Sequence, residues 1–139
     1  MKAILALVCM TALFAAISAA EAAPRRIRLS FDGREALVEL YDNATAESLE
    51  KMLPLTLDFE DFAGEEKIAY TPEKLSTAGM PESYAPKAGE MTVYAPWGNI
   101  AIFYKEHGAS RGLVPLGRFI SGAEQITLMG KNVRLEAAQ

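Results

Sequence analysis

The chain has 139 residues, with 14 basic and 18 acidic side chains and a formal net charge of −4. This is the length of a single domain, which excludes two independent cores with a catalytic cleft between them. The acidic balance lacks the positive field that supplies most affinity for phosphates, so we predict no nucleic-acid partner.

The first 22 residues have the composition of a secretory signal peptide. Lys2 supplies a positive charge, residues 3–17 form an apolar run, and small residues fit cleavage patterns that end at Ala20 and Ala22. The alternative is a membrane anchor. However, the run is rich in alanine and falls short of the roughly 20 strongly apolar residues that a spanning helix needs.

We therefore predict that residues 1–22 are a signal peptide and that residues 23–139 fold as one domain. This domain is expected to be periplasmic or secreted and not to span a membrane. The only cysteine, Cys9, leaves with the signal peptide, so the mature domain has neither a disulfide nor thiol chemistry.

Alternating apolar and polar residues predict a hairpin at the start of the domain. The alternation runs over residues 27–31 and returns over residues 35–40, the period expected of half-buried strands. Asp32 and Gly33 between them suit a tight turn, since Gly adopts a positive φ freely and Asp tolerates it.

One helix is predicted to follow the hairpin. Asn43 is a favourable N-cap, and Pro54 ends the helix near Met52 or Leu53, because proline in a helix loses a hydrogen bond and clashes with the preceding turn. Asn43 and Thr45 also match an N-glycosylation acceptor, but capping is the role that we predict for Asn43.

Beyond Pro54 the pattern is that of short strands. They are predicted over residues 55–60, 67–70, 91–95, 100–104, 116–120 and 133–135, with a helical turn over 122–126. Residues 71–90 form the longest loop, in which an edge strand around Leu75 is an option, and residues 108–115 form another. About eight short strands with regular turn signals predict a mainly β fold, either a barrel or a sandwich.

Several segments, taken in order, resemble the bacterial cyclophilin-like family. They are YDNATA at 41–46, LPLT at 53–56, GEEK at 64–67, GE at 89–90, PWGNIAIFY at 96–104 and LGR at 116–118. They extend over most of the predicted domain, from about Ile27 to Ile120. The resemblance implies a closed, roughly eight-stranded cyclophilin-like β-barrel with one main α-helix; it does not by itself imply prolyl isomerase activity.

The resemblance does not extend to the catalytic residues of cyclophilins. Those enzymes place an arginine, an aromatic residue and a glutamine after the first helix, and the arginine eases rotation about the prolyl amide. Here residues 55–62 read LTLDFEDF, with neither arginine nor glutamine. We therefore predict a binding module without the usual prolyl isomerase residues. A prolyl isomerase with a displaced active site, built on Arg111 or Arg118, is the alternative.

Aromatic and polar residues in or beside the loops are candidates to bind a small molecule or a proline-containing peptide. The candidates are Tyr70, Tyr94, Trp97, Asn99, Tyr104, His107, Arg111 and Arg118. Trp97 either contacts a ligand or plugs a barrel end, and the two arginines either hold an anionic group or form ion pairs. His107 is interpreted as a loop residue, with a pocket or general-base role as the alternative.

No metal or other cofactor is predicted. His107 is the only histidine, whereas zinc sites use several His or Cys ligands. The acidic residues between 58 and 66 miss the spacing of a calcium loop and are interpreted as a solvated edge. A third functional alternative is a structural partner in a surface complex, which predicts an apolar patch instead of a pocket.

Overall fold

The computed structural model describes residues 24–138, so the predicted signal peptide lies outside the described residues. Its elements, in chain order, are β1 (Arg26–Phe31), β2 (Arg34–Leu40), α1 (Ala44–Met52), β3 (Leu55–Leu57), β4 (Glu60–Phe62), β5 (Glu66–Tyr70), β6 (Glu90–Tyr94), β7 (Asn99–Phe103), β8 (Leu113–Ser121), a short 3₁₀ helix (Ala123–Leu128) and β9 (Val133–Ala138). The mainly β fold with one α-helix is thus confirmed, with nine strands instead of about eight.

All nine strands belong to one antiparallel sheet that curls into a half-barrel. Their order is β3-β9-β1-β2-β8-β6-β7-β5-β4. The strands at the two ends of this order, β3 and β4, follow one another in the chain and are separated only by Asp58 and Phe59. No backbone ladder joins β3 to β4 within residues 24–138, so the two edges are connected by the chain itself and not by a closed set of hydrogen bonds.

The predicted hairpin and its turn are confirmed. β1 pairs with β2 in a continuous register from Arg26 opposite Glu39 to Phe31 opposite Arg34. Asp32 and Gly33 have φ values of 47° and 71°, the positive values that a two-residue turn between twisted strands requires.

The helix begins and ends where the sequence predicts. The side chain of Asn43 accepts a hydrogen bond from the Ala46 N–H at 2.8 Å, and α1 ends at Met52 with Leu53 as its C-cap. Asn43 Nδ2 also donates to the Pro115 carbonyl at 2.8 Å. Both polar atoms of this amide are therefore used, one to start the helix and one to fasten it to β8.

The core lies inside the curled sheet, under α1. Its largest buried side chains include those of Ile27, Leu29, Leu49, Met91, Ile100, Ile102, Leu116 and Leu135. β7 is buried at every residue, as the continuous apolar run 100–104 predicts for a central strand. A second, smaller buried cluster comprises Ala101, Phe103 and Leu113. Successive side chains of β7 therefore pack into the two clusters in turn, because side chains alternate between the two faces of a strand.

Three local predictions differ from the structure. The exposed residues 60–62 form the separate strand β4 by pairing with β5, although their own pattern is charged. β8 begins at Leu113, inside the region predicted as a loop. The option of an edge strand near Leu75 is wrong, since this residue is buried without belonging to a strand. In each case the outcome depends on tertiary contacts that outweigh local preference.

Candidate functional site

A pocket of about 210 Å³ opens over the second, smaller cluster. Its lining combines residues from β4 to β8 and the loop before β8, namely Phe62, Glu66, Tyr94, Trp97, Asn99, Phe103, His107, Ser110 and Leu113. The structure therefore brings together four of the eight candidates that the sequence suggests, and these are Tyr94, Trp97, Asn99 and His107.

Trp97 is held at the pocket by the turn that joins β6 to β7. Gly98, at φ 73°, closes this turn by donating its N–H to the Tyr94 carbonyl at 2.8 Å. Pro96 packs on Gly112 so closely that a Cβ at Gly112 would lie 2.8 Å from the proline Cδ. Trp97 is 51% exposed, so part of this residue is accessible to a ligand.

Three aromatic rings form the outer wall of the pocket. The Trp97 ring lies 5.6 Å from that of Phe62 and 5.5 Å from that of Tyr94, with interplanar angles of 86° and 81°. Such edge-to-face contacts stabilise each pair by about 0.5–1.5 kcal/mol beyond their buried area. Because the rings are nearly perpendicular, their faces point in different directions.

Glu66 supplies a carboxylate to this wall. The register of β4, β5 and β7 places Glu66 between Phe62 on one side and Phe103 on the other. Burial raises the pKa of Glu66, the negative charges of Glu65 and Asp61 raise it further, and His107 opposes the shift. Keeping the Glu66 carboxylate ionised in the folded protein therefore costs free energy.

His107 is tied to the acidic edge. Its Nδ1 lies 2.9 Å from Oε2 of Glu65, and its ring packs against Phe103 with the centroids 5.3 Å apart. The backbone N–H of His107 also donates to the Pro86 carbonyl at 3.2 Å. The histidine is therefore more than a solvated loop residue, because it forms one side of the pocket.

Tyr104 lies beside the pocket without lining it. Its hydroxyl donates to Asp61 Oδ1 at 2.5 Å, and this hydrogen bond raises the pKa of Tyr104 to about 12 and lowers that of Asp61. Asp61 Oδ2 accepts the Gly64 N–H at 3.1 Å. Tyr104 therefore fastens the end of β7 to the β4–β5 hairpin and holds Phe62 and Glu66 in place.

The other three candidates lie outside the aromatic pocket. Tyr70 is 59% exposed on β5. Arg111 lies 3.8 Å from Glu82, and Arg118 lies 3.3 Å from Glu39, so both arginines take part in ion pairs on the surface. Exposed pairs of this kind contribute little to stability.

Arg118 lines a second and more polar pocket, of about 370 Å³. At its base Glu90 is only 7% exposed, and its carboxylate accepts hydrogen bonds from Tyr41, Tyr84 and the Lys87 N–H. Burial first and the Glu90 hydrogen bond second raise the pKa of Tyr41 to about 12, and the same two causes raise the pKa of Tyr84. Two of these contacts, from Tyr84 and Lys87, fasten the long loop to β6, and the third fastens the connection between β2 and α1 to it.

Five lining residues were not among the candidates: Phe62, Glu66, Phe103, Ser110 and Leu113. Phe62 lies in the segment where cyclophilins carry an aromatic residue, which is a signal that could have found it. Glu66 and Phe103 carry no such signal, because only the strand register aligns them with Phe62.

Two further properties concern metals and membranes. Within residues 24–138, no group of three or more His, Cys, Asp or Glu side chains is arranged to hold a metal ion. Over the same residues, every helix is too short or too polar to cross a bilayer.

The fold and the match to a family model define the class of this protein. Residues 29–137 match the model of the cyclophilin-like family, and the chain belongs to this family. It is similar in structure to a hypothetical protein from Archaeoglobus fulgidus, whose solution structure is matched with a TM-score of 0.64 over 87% of this chain and 100% of that one. The two sequences are 19% identical, a level at which the likeness shows the fold alone. The chain matches no curated protein sequence.

Proposed function

We propose that this domain binds a small molecule or a short peptide, such as a proline-containing peptide, in the aromatic pocket, and that it lacks the usual prolyl isomerase residues. The observation that carries the proposal is the exposed ring of Trp97 against Phe62 and Tyr94, above a buried apolar floor. Ligand sites commonly combine such aromatic walls with a few polar groups.

The polar groups of the pocket also support binding. Asn99 is 1% exposed, and its Nδ2 donates to the Ile100 carbonyl at 3.1 Å. This bond fixes the orientation of the amide, since the carbonyl can only accept. Asn99 Oδ1 has no hydrogen-bond partner among the described residues. The lining residue Asn99 therefore carries a buried acceptor that no described group satisfies.

The cationic group that cyclophilins use for catalysis has no equivalent in this pocket. The nine lining residues include no arginine and no lysine. Lowering a rotation barrier of roughly 18–20 kcal/mol requires a group that favours the twisted amide over the planar one. The lining therefore favours binding over prolyl isomerisation.

Trp97 allows a direct test, because it is the only tryptophan in the chain. Titration of residues 23–139 with proline-containing peptides should change the Trp97 fluorescence to a saturating value. Phe62→Ala should weaken binding about tenfold, as loss of an aromatic wall does at a ligand site. Tyr70→Ala, which removes an exposed aromatic ring outside the pocket, should leave binding unchanged. Equal effects of the two variants would contradict the proposed site.

NMR exchange spectroscopy on Xaa-Pro peptides tests the alternative function, which is prolyl isomerisation at a displaced active site. We expect no acceleration of cis–trans exchange at substoichiometric protein. Acceleration that Arg111→Ala or Arg118→Ala abolishes would place a displaced active site outside the aromatic pocket and would refute a binding-only function.

We also propose that the domain acts in the periplasm or outside the cell. The support is the composition of residues 1–22, with one positive charge, an apolar run and small residues at a cleavage pattern. The mass of the protein recovered from an expressing bacterium tests this. Removal of 20 or 22 residues is expected, and an intact amino terminus in the cytoplasmic fraction would contradict export.

A further inference from the structure

The carboxylates in and beside the aromatic pocket differ in how far they are paired. Glu66 lines the pocket, Glu65 lies at its edge, and Asp61 is the residue of β4 next to Phe62. Asp61 accepts hydrogen bonds from Tyr104 and Gly64 and lies 3.8 Å from the Lys67 ammonium, and Glu65 is paired with His107. Within residues 24–138, Glu66 has neither an ion-pair partner nor a side-chain hydrogen bond. It is the only carboxylate among the nine lining residues, and His107 offsets only part of the cost of its burial.

The aromatic rings present a second feature that attracts positive charge. The face of an aromatic ring carries negative electrostatic potential, and a cation within about 6 Å of a ring centroid is stabilised, most strongly by tryptophan. The Trp97 ring stands nearly perpendicular to those of Phe62 and Tyr94, so one group in the pocket contacts a face of one ring and an edge of the next. Glu66 is the cross-strand neighbour of Phe62 and therefore lies at the same wall.

We propose that the pocket recognises an alkylated ammonium group, such as a quaternary ammonium or a methylated lysine side chain. This inference rests on the proposed binding function and names its ligand class. The methyl groups pack against the rings, and the positive charge compensates Glu66, whose carboxylate is partly desolvated. Neutral proline rings satisfy the aromatic wall but add no positive charge beside Glu66.

A matched pair of ligands separates charge from shape. Choline and 3,3-dimethylbutan-1-ol have the same shape, but only choline is charged. Titration of residues 23–139 followed by Trp97 fluorescence should show choline binding at least tenfold more tightly than the neutral alcohol. A peptide with trimethyllysine, compared with choline, then distinguishes a peptide source of the group from a free small molecule. The same peptide with leucine in place of trimethyllysine is the neutral control.

Glu66→Gln provides the decisive variant, because it keeps the shape of the side chain and removes its charge. It should weaken choline binding about tenfold and leave binding of the neutral alcohol unchanged. Glu60→Gln is the matched control, since it removes the same charge from an exposed residue of β4 outside the lining, and it should leave choline binding within about twofold. Circular dichroism of both variants checks that they fold.

The outcomes distinguish a wrong ligand class from a wrong binding function. Equal affinity for choline and the neutral alcohol would overturn the choice of ligand class while supporting a binding pocket. Binding of proline-containing peptides without any response to choline or trimethyllysine would do the same. A weakening by Glu60→Gln as large as that by Glu66→Gln would reduce the effect to net charge and overturn the inference. Failure of every ligand to change Trp97 fluorescence would overturn both.

Discussion

Replacing Glu90 by alanine should destabilise the domain more than almost any other loss of a charged side chain. The 7% exposed carboxylate accepts from the Tyr41 hydroxyl at 2.9 Å, from the Lys87 N–H at 2.9 Å and from the Tyr84 hydroxyl. A hydrogen bond to a charged acceptor is worth about 1.5–3 kcal/mol. Since the two tyrosines reach water in part, we discount the sum and expect a loss of about 3–5 kcal/mol.

Such a loss is large compared with the total stability of a domain, which is about 5–15 kcal/mol. For a domain of this size it corresponds to a fall in Tm of about 12–20 °C, at roughly 4 °C per kcal/mol. Urea unfolding followed by circular dichroism measures the change in free energy, and thermal melting measures the change in Tm.

Glu82→Ala is the control for this prediction. Glu82 is 88% exposed by side chain and lies 3.8 Å from Arg111, so its loss should cost less than about 0.5 kcal/mol. Tyr41→Phe should be clearly destabilising in the wild-type chain and nearly neutral beside Glu90→Ala, because the two residues share one interaction. A cost for Glu90→Ala of under about 1 kcal/mol, or full additivity with Tyr41→Phe, would refute the reasoning.

Three further predictions concern stability, and urea unfolding measures each of them. Asn43→Ala should cost about 2 kcal/mol, since it removes both the helix cap and the bond to β8, whereas Asn43→Asp keeps the cap acceptor and should cost about 1 kcal/mol. Gly117→Ala should cost about 3 kcal/mol, because its Cβ would lie 2.6 Å from the Glu39 carbonyl oxygen. Glu66→Gln should stabilise the domain at pH 7 and not at pH 4. Burial raises the pKa of Glu66 in the folded state above the ordinary value of 4.5, so its favourable contribution is present below that value and is lost as pH rises through the folded pKa.

Each of these three predictions has a control or a contradicting result. Equal costs for Asn43→Ala and Asn43→Asp would mean that the bond to β8 carries the whole effect. Gly108→Ala controls for Gly117→Ala, because a Cβ at Gly108 meets nothing within 4 Å, and it should change stability by less than about 0.5 kcal/mol. A gain from Glu66→Gln of the same size at pH 4 and pH 7 would contradict the ionisation argument.

Features that depend on neighbouring residues could be predicted from the sequence. The Asp32-Gly33 turn needs positive φ at both residues, Asn43 can cap only the helix that starts beside it, and Pro54 stops that helix by its own geometry. The full burial of β7 follows likewise from its continuous apolar run. These predictions are confirmed because their physical causes act within a few residues.

The candidate site could be predicted only in part. Tyr94, Trp97 and Asn99 flank or form one turn and so were found together, and His107 follows β7 closely. By residue type Arg118 is also a candidate, because it can hold an anionic group. However, it lies on β8 opposite Glu90 and Glu39, at a different pocket. Side-chain type identified the kind of residue needed, whereas strand pairing decided which of these residues meet.

The sequence by itself determined the turns, the helix and the family resemblance, because the chemistry of those features is local. Only the tertiary structure decided that Glu66 stands between Phe62 and Phe103 and that the ring of Trp97 packs against that of Phe62. The sequence of the exposed residues 60–62, two of which are acidic, does not predict a strand. Strand β4 forms because β5 offers unpaired backbone groups to these residues. The pocket is thus a product of long-range register, in which a shift by one residue would turn Glu66 and Phe62 to the opposite face of the sheet.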